Sequence, residues 1–271
     1  MIRVLLSLAF ATTFYTPAFA HDFWIAPQSY QLEKPGAVPT TIMVGHPKDR
    51  SLWPINPHRV ISLKSHGANG VTDHQDRIST LLPNGRLLLS LDTPGTHMLM
   101  IETTSASSIL PAKSFNSYLD EEGLTPIITD RARKETQNEE GREIYSRRGK
   151  ALIQVGPLDE KSARYVTRPL GMTLEIVPQT HPYALDAGAL MSATVYYRGK
   201  AAPGVSVGLI SLDTDAGLVK TLKTNAKGHV TFKRPKSGQW MLHAVWSDAL
   251  EDTSEADYDT IFSSLSLGFK E

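Results

Sequence analysis

Nine histidines and no cysteine set the range of chemistry open to this chain. Without thiols it can hold no disulfide framework, thiolate metal site, iron–sulfur cluster or cysteine nucleophile. A metal site must then be built mainly from nitrogen and oxygen. His21 is the residue best placed to start one. Residues 1–20, MIRVLLSLAFATTFYTPAFA, read as a cleavable export signal. Arg3 leads an apolar run from Val4 to about Tyr15, Pro17 breaks it, and Ala18-Phe19-Ala20 offers small residues where a signal peptidase inspects the chain. The run is short of the ~20 apolar residues that a membrane span needs, and no later segment approaches that length. Cleavage after Ala20 makes His21 the N-terminal residue, with a free α-amine and an imidazole on one residue. Together they chelate a metal in a six-membered ring. A second histidine opposite completes a tetragonal nitrogen set that suits Cu(II) or Ni(II). The amine has a reference pKa near ~7.7–8.0, so it yields its proton readily to a competing metal.

His46 is the expected partner. Side chains alternate faces along a strand. In Thr40–His46 this puts Ile42, Val44 and His46 on one face, and in His21–Ile25 it groups His21, Phe23 and Ile25. Two such strands side by side would leave His21 and His46 at the rim of one apolar face. Asp22 or Asp49 could add an oxygen ligand or an outer hydrogen bond. The other histidines are weaker candidates. His97 shares a face with Leu99 and Ile101, while Met98 and Met100 take the other face, where methionine usually fills core gaps. His58, His66 and His74 fall in loops, and His181 precedes Pro182 in a turn. His229 and His243 alternate with core residues, which places them toward solvent.

A basic run, Arg147-Arg148-Gly149-Lys150, stands beside Glu139, Glu140 and Glu143. It reads either as a solvated, salt-bridged edge or as a cationic patch that docks a partner through Arg147, Arg148 and Lys150. Enzyme signatures are missing: there is no G-x-S-x-G elbow, H-E-x-x-H helix, phosphate loop or dinucleotide fingerprint. The chain is therefore expected not to be an enzyme. Its 28 basic and 28 acidic side chains leave no electrostatic footprint for nucleic acid.

Short apolar segments with turn signals between them must position these residues. The C-terminal part shows about seven, at Met172–Val177, Ala189–Tyr197, Val205–Ser211, Leu218–Leu222, His229–Phe232, Trp240–Trp246 and Ile261–Phe269. Strands at that spacing predict a β-sandwich of immunoglobulin-like or transthyretin-like type. The N-terminal part predicts strands at Asp22–Ile25, Pro39–His46, Arg59–Leu63, Gly85–Leu91, His97–Glu102 and Tyr145–Val155. Between them, Ser114 to Gly123 predicts a short helix with a serine start and a glycine stop. The charged stretch from Asp130 to Glu143 predicts a second helix and a loop. The expected fold is thus mainly β. It has an N-terminal β domain over 21–156 with a helical insertion at about 114–143, and a C-terminal sandwich over 168–271.

Several segments match a known family in combination. They are His21-Asp22-Phe23-Trp24-Ile25, Val44-Gly45-His46, Phe115-Asn116-x-Tyr118-Leu119, Glu143-x-Tyr145-Ser146-Arg147-Arg148-x-Lys150, and Arg168-Pro169-Leu170-Gly171. The chain resembles a large family of exported proteins of unknown function, often labelled the periplasmic component of a cobalt or nickel transport system. The resemblance implies a periplasmic, metal-related protein tied to cobalt or nickel and strengthens His21 and His46, which lie inside matched motifs; with the chelate argument above, the expected cofactor is one divalent ion, Ni, Co or Cu, held by His21, His46 and Asp22. The resemblance also implies a membrane transporter or outer-membrane receptor component as partner. The alternative function is a non-enzymatic accessory module that docks onto an envelope transport system.

Overall fold

The computed structural model describes residues 22–46, 49–78, 85–159, 161, 163–213, 217–251 and 255–270. The export signal over 1–20 and His21 lie outside these residues.

Three sheets stack in layers. The first is built around β3 (Gly36–Val44), which pairs antiparallel with β1 (Phe23–Pro27), β4 (Ser51–Leu52) and β7 (Arg86–Leu91). The central sheet contains β2 (Gln31–Leu32), β5 (Val60–Gly67), β6 (Gly70–Asp73), β8 (Gly95–Thr103), β9 (Ala106–Leu110), β10 (Gly141–Val155), β14 (Ser206–Ser211), β15 (Leu218–Lys223), β17 (Gly238–Ala249) and β18 (Tyr258–Phe269). Its main order is β15-β14-β17-β18-β10-β8-β5-β6, and β2 and β9 also pair with β10. The third sheet contains β11 (Leu174–Pro178), β12 (Leu190–Tyr197), β13 (Lys200–Ala201) and β16 (His229–Lys233). Helices α1 (Ala112–Glu121) and α2 (Thr125–Arg133) cover part of the central sheet beside the first sheet, and a single turn, α3 (Ala163–Val166), lies between β10 and β11. No helix among the described residues is long and apolar enough to cross a membrane.

The mainly β sandwich architecture expected from the turn spacing is present, and both sandwiches share the central sheet. Its two faces are read directly in β8. Leu99 and Ile101 pack toward Phe23, Ile25 and Ile42 of the first sheet. Met98 and Met100 pack toward Leu174, Ile176 and Met191 of the third. Burying each such side chain contributes roughly 1.5–3 kcal/mol. Strands β10 and β18 run parallel, with Glu143 opposite Tyr258 through Ala151 opposite Ser266. This seam joins the segments 21–156 and 168–271. Strands covered on both faces lose polar alternation, and β10 is buried without interruption from Ser146 to Val155. By contrast, β7 faces solvent on one side and alternates exposed and buried residues along its length.

The helical insertion starts earlier than the sequence suggests. Helix α1 begins at Ala112, behind Pro111, and stops at Gly123, whose φ of 67° only glycine adopts without strain. Phe115, Tyr118 and Leu119, at i, i+3 and i+4, pack with Ile127 against Tyr258 and Phe262 of β18. The charged stretch does not form a second helix of its own. Helix α2 ends at Arg133, and the strand β10 has begun by Gly141. The guanidinium of Arg131 closes this turn by donating to the carbonyls of Thr136 (2.6 Å) and Glu139 (2.7 Å).

One histidine ties the two halves together in its neutral form. His181 is 5% exposed. Thr96 Oγ1 donates its single proton to Gln154 Oε1 at 2.6 Å. The His181 Nε2 at 2.9 Å from that hydroxyl must therefore be the donor. Its Nδ1 accepts from the backbone N–H of Tyr183 at 3.2 Å. Protonating Nδ1 would break that contact inside a buried site. Burial lowers the His181 pKa from 6.5 to about 4, against a weaker opposing pull from Asp159. A depressed folded pKa gives stability that is present above the unfolded value and lost as pH falls. His181 should thus cost the fold on the order of 2–3 kcal/mol between pH 6.5 and 4. Denaturant unfolding of wild type and His181→Gln at pH 7 and pH 4.5 checks this. The wild type should lose more stability on acidification, and an equal loss in the variant would refute the assignment.

Candidate metal centre

Strand β17 sends Leu242 and Ala244 into the core against the third sheet. Met241 and Val245 face the other way, into separate apolar clusters with Trp24 and with the helices. His243 lies between them on that second face, where an apolar residue would be the default. It is 5% exposed. Its ring stacks on Phe262, with centroids 6.3 Å apart and planes within 5°. Across the pair with β14 it faces Gly208, which has no side chain to cover it.

Two carboxylates converge on this imidazole from other parts of the chain. Asp22 directly precedes β1, and its carbonyl accepts from the Gly45 N–H at 3.0 Å. Its Oδ1 is 2.8 Å from His243 Nδ1. Glu122 caps the C-terminal end of α1, where Gly123 turns the chain away. Its Oε2 is 3.9 Å from the same nitrogen. One donor atom from each of the three residues lies within 4.8 Å of the others. His46, exposed at the end of β3, lines the same cavity of about 480 Å³ together with Glu121, Ser206 and Thr221. The other ring nitrogen, His243 Nε2, is buried without a hydrogen-bond partner among the described residues. Such an atom costs roughly 1–3 kcal/mol, so a fold rarely keeps it without use.

The electrostatics of the cluster favour added positive charge. Burial works to lower the His243 pKa, but the Asp22 and Glu122 carboxylates outweigh it and raise it to about 9. Burial raises Glu122 to about 7, against the pull of His243 and with help from Asp22. Behind it, burial also raises Glu143 to about 7, opposed by the hydroxyls of Thr260 and Tyr118. Two carboxylates share one imidazolium, which leaves the group short of positive charge. A dication fits the donor spacing. Ligands bound at ~2.1 Å lie ~3.0 Å apart at right angles and ~4.2 Å apart when opposite. The separations of 2.8 Å and 3.9 Å fall close to that span.

Of the residues expected to bind metal, Asp22 and His46 meet at this cavity, and His21 lies outside the described residues, one residue before Asp22. The structure adds Glu122 and His243. The expectation that His243 faces solvent is corrected, because both faces of β17 are covered at that point. Its place on the Met241–Val245 face was the available signal. For Glu122 there was none beyond its place before the helix-ending glycine.

The expected docking patch is also corrected. Arg147, Arg148 and Lys150 are all buried, because β10 lies in the middle of the layers. The Arg147 guanidinium lies 4.6 Å from the centre of the Tyr145 ring. Arg148 Nε is 3.2 Å from Glu102 Oε2. Lys150 Nζ donates to Glu175 Oε1 at 2.9 Å, with both side chains 1% exposed. Lys150 thus links the central sheet to the third, and all three cations are too deeply buried to present a docking surface.

Residues 18–248 match the family described as a domain of unknown function, DUF4198. Among curated proteins, none matches the chain. Solved structures that resemble it do so distantly. The D0-D1 domain of intimin is 9% identical, with 90% of this chain and 97% of that chain covered and a TM-score of 0.21. The BSP domain of a biofilm-associated protein is 11% identical over 90% of this chain and 30% of that chain, with a TM-score of 0.20. Fibronectin(III)-like modules of Clostridium thermocellum CbhA are 9% identical over 91% and 94%, again with a TM-score of 0.20.

Proposed function

The chain belongs to the DUF4198 family, whose function is unknown, and we propose that it binds a divalent transition metal, Ni, Co or Cu, in the periplasm in support of metal uptake or homeostasis. The observation that carries this reading is the convergence of Asp22, Glu122 and His243 from three separate elements on one cavity, with His46 at its mouth. A nitrogen–oxygen set without sulfur suits these borderline ions. His21, joined to Asp22 by one peptide bond, would add an amine and an imidazole once the export signal is removed. Metal would displace the proton that His243 now holds, so binding should release protons.

The test is calorimetry on protein processed after Ala20, titrated with Ni(II), Co(II) and Cu(II) in two buffers of different ionisation enthalpy. The expected result is one ion per chain at micromolar or tighter affinity, with a heat that depends on the buffer. Absence of binding by all three ions at micromolar concentration would refute the proposal.

A further inference from the structure

A second cavity lies away from the metal centre and has a different character. Its volume is about 690 Å³. One wall is the β5–β6 hairpin with His66, and the other carries Lys161, Arg164 and Arg168. No acidic side chain lines it among the described residues. None of the three cations forms an ion pair among those residues either.

The local chain explains why these cations are left over. The turn α3 buries Tyr165 and Val166, and Tyr165 donates its hydroxyl to the carbonyl of Thr96. That leaves Arg164 exposed. Pro169 keeps Arg168 out of helical conformation and also exposed. Acids nearby are engaged elsewhere. Asp159 lines a neighbouring cavity with His181. Glu175 is saturated by Lys150 Nζ (2.9 Å) and by the N–H groups of Leu170 (2.9 Å) and Gly171 (3.1 Å). The field reaches His66. Burial lowers its pKa, Glu175 raises it, and Lys150, Arg168 and Lys64 each lower it again.

We propose that this cleft binds an oxyanion of the phosphate class carried on a small organic body. Guanidinium groups pair with phosphate through parallel N–H···O bonds, and an ammonium adds a point charge. The volume lies within the ~300–1,000 Å³ of small-molecule pockets, well beyond the needs of inorganic phosphate alone. A soluble phosphate ester and a phospholipid headgroup both present this chemistry. The site is independent of the metal centre.

The experiment follows the His66 imidazole by NMR while the full processed chain is titrated with glycerol 3-phosphate at ionic strength held constant with chloride. Sedimentation with phosphatidylglycerol vesicles, against phosphatidylcholine vesicles, runs beside it. Saturable His66 shifts with the soluble ester assign that source, and co-sedimentation with phosphatidylglycerol alone assigns a headgroup. In either case Arg164→Gln with Arg168→Gln, both at exposed positions, should weaken binding at least ~10-fold. The proposal fails if His66 ignores millimolar ester and neither vesicle binds. It also fails if citrate binds where no phosphate does, or if the double variant binds as wild type.

Discussion

Replacing His243 with alanine should weaken divalent metal binding by more than ~100-fold, beyond the ~10–100-fold that loss of an outer-shell partner typically costs. The imidazole is the buried nitrogen at which both carboxylates meet. Its loss also leaves Asp22 and Glu122 without the cation that now balances them. Glu122→Gln keeps the size and the helix end but removes a charge, and should weaken binding at least ~10-fold. His46→Ala should cost less, because that side chain is exposed at the cavity mouth. Calorimetry on each variant, with circular dichroism to establish folding, gives the ranking. A His243→Ala protein that folds and binds metal as wild type would move the site elsewhere.

The second large effect is structural. Removing one partner of a buried ion pair leaves an uncompensated charge and typically costs about 3–5 kcal/mol. Lys150 and Glu175 are each 1% exposed and link β10 to the third sheet. Glu175→Ala strands the ammonium and also frees the N–H groups of Leu170 and Gly171. At roughly 2–4 °C per kcal/mol for a chain of this size, Tm should fall on the order of 10 °C. Lys150→Met combined with Glu175→Leu should recover part of that loss, since an apolar pair of similar volume often replaces a buried ion pair without penalty. Scanning calorimetry of the three proteins decides it. Near-equal Tm for wild type and Glu175→Ala would mean that the pair is solvated and not structural.

These two sites show where sequence patterns were readable and where they were not. Turn residues at short spacing reported the sandwiches, because each hairpin is a local event. Alternation groups His46 with His21 and sets Asp22 on the opposite face; β1 and β3 do pair antiparallel, but Asp22 and His46 line one cavity, with Gly45 at φ 118° between β3 and His46. His243 was missed because its strand is covered on both sides at that point, so parity no longer separates core from solvent. Glu122 meets His243 over a separation of more than a hundred residues, and no periodicity encodes such a contact. The same covering misled the reading of Arg147, Arg148 and Lys150. A basic run is usually solvated, but here Arg148 and Lys150 pair with Glu102 and Glu175, and Arg147 lies against the Tyr145 ring, all within the layers. The parallel pairing of β10 with β18 had no local signal either, since no turn connects strands so far apart.

That pairing governs the order in which the molecule can be assembled. Loop-closure entropy must be met before distant strands reward it. The seam between Glu143–Ala151 and Tyr258–Ser266 cannot form until the chain has reached Ser266. Until then β10 and β17 each expose an edge in what becomes the middle of the central sheet, and bare edges invite pairing with other chains. The family match ends at residue 248, ahead of β18. A chain trimmed to that match would lack the strand that closes the sheet and should aggregate instead of folding. Strand β18 thus acts as a completion step, joining β17 and β10 into one continuous sheet.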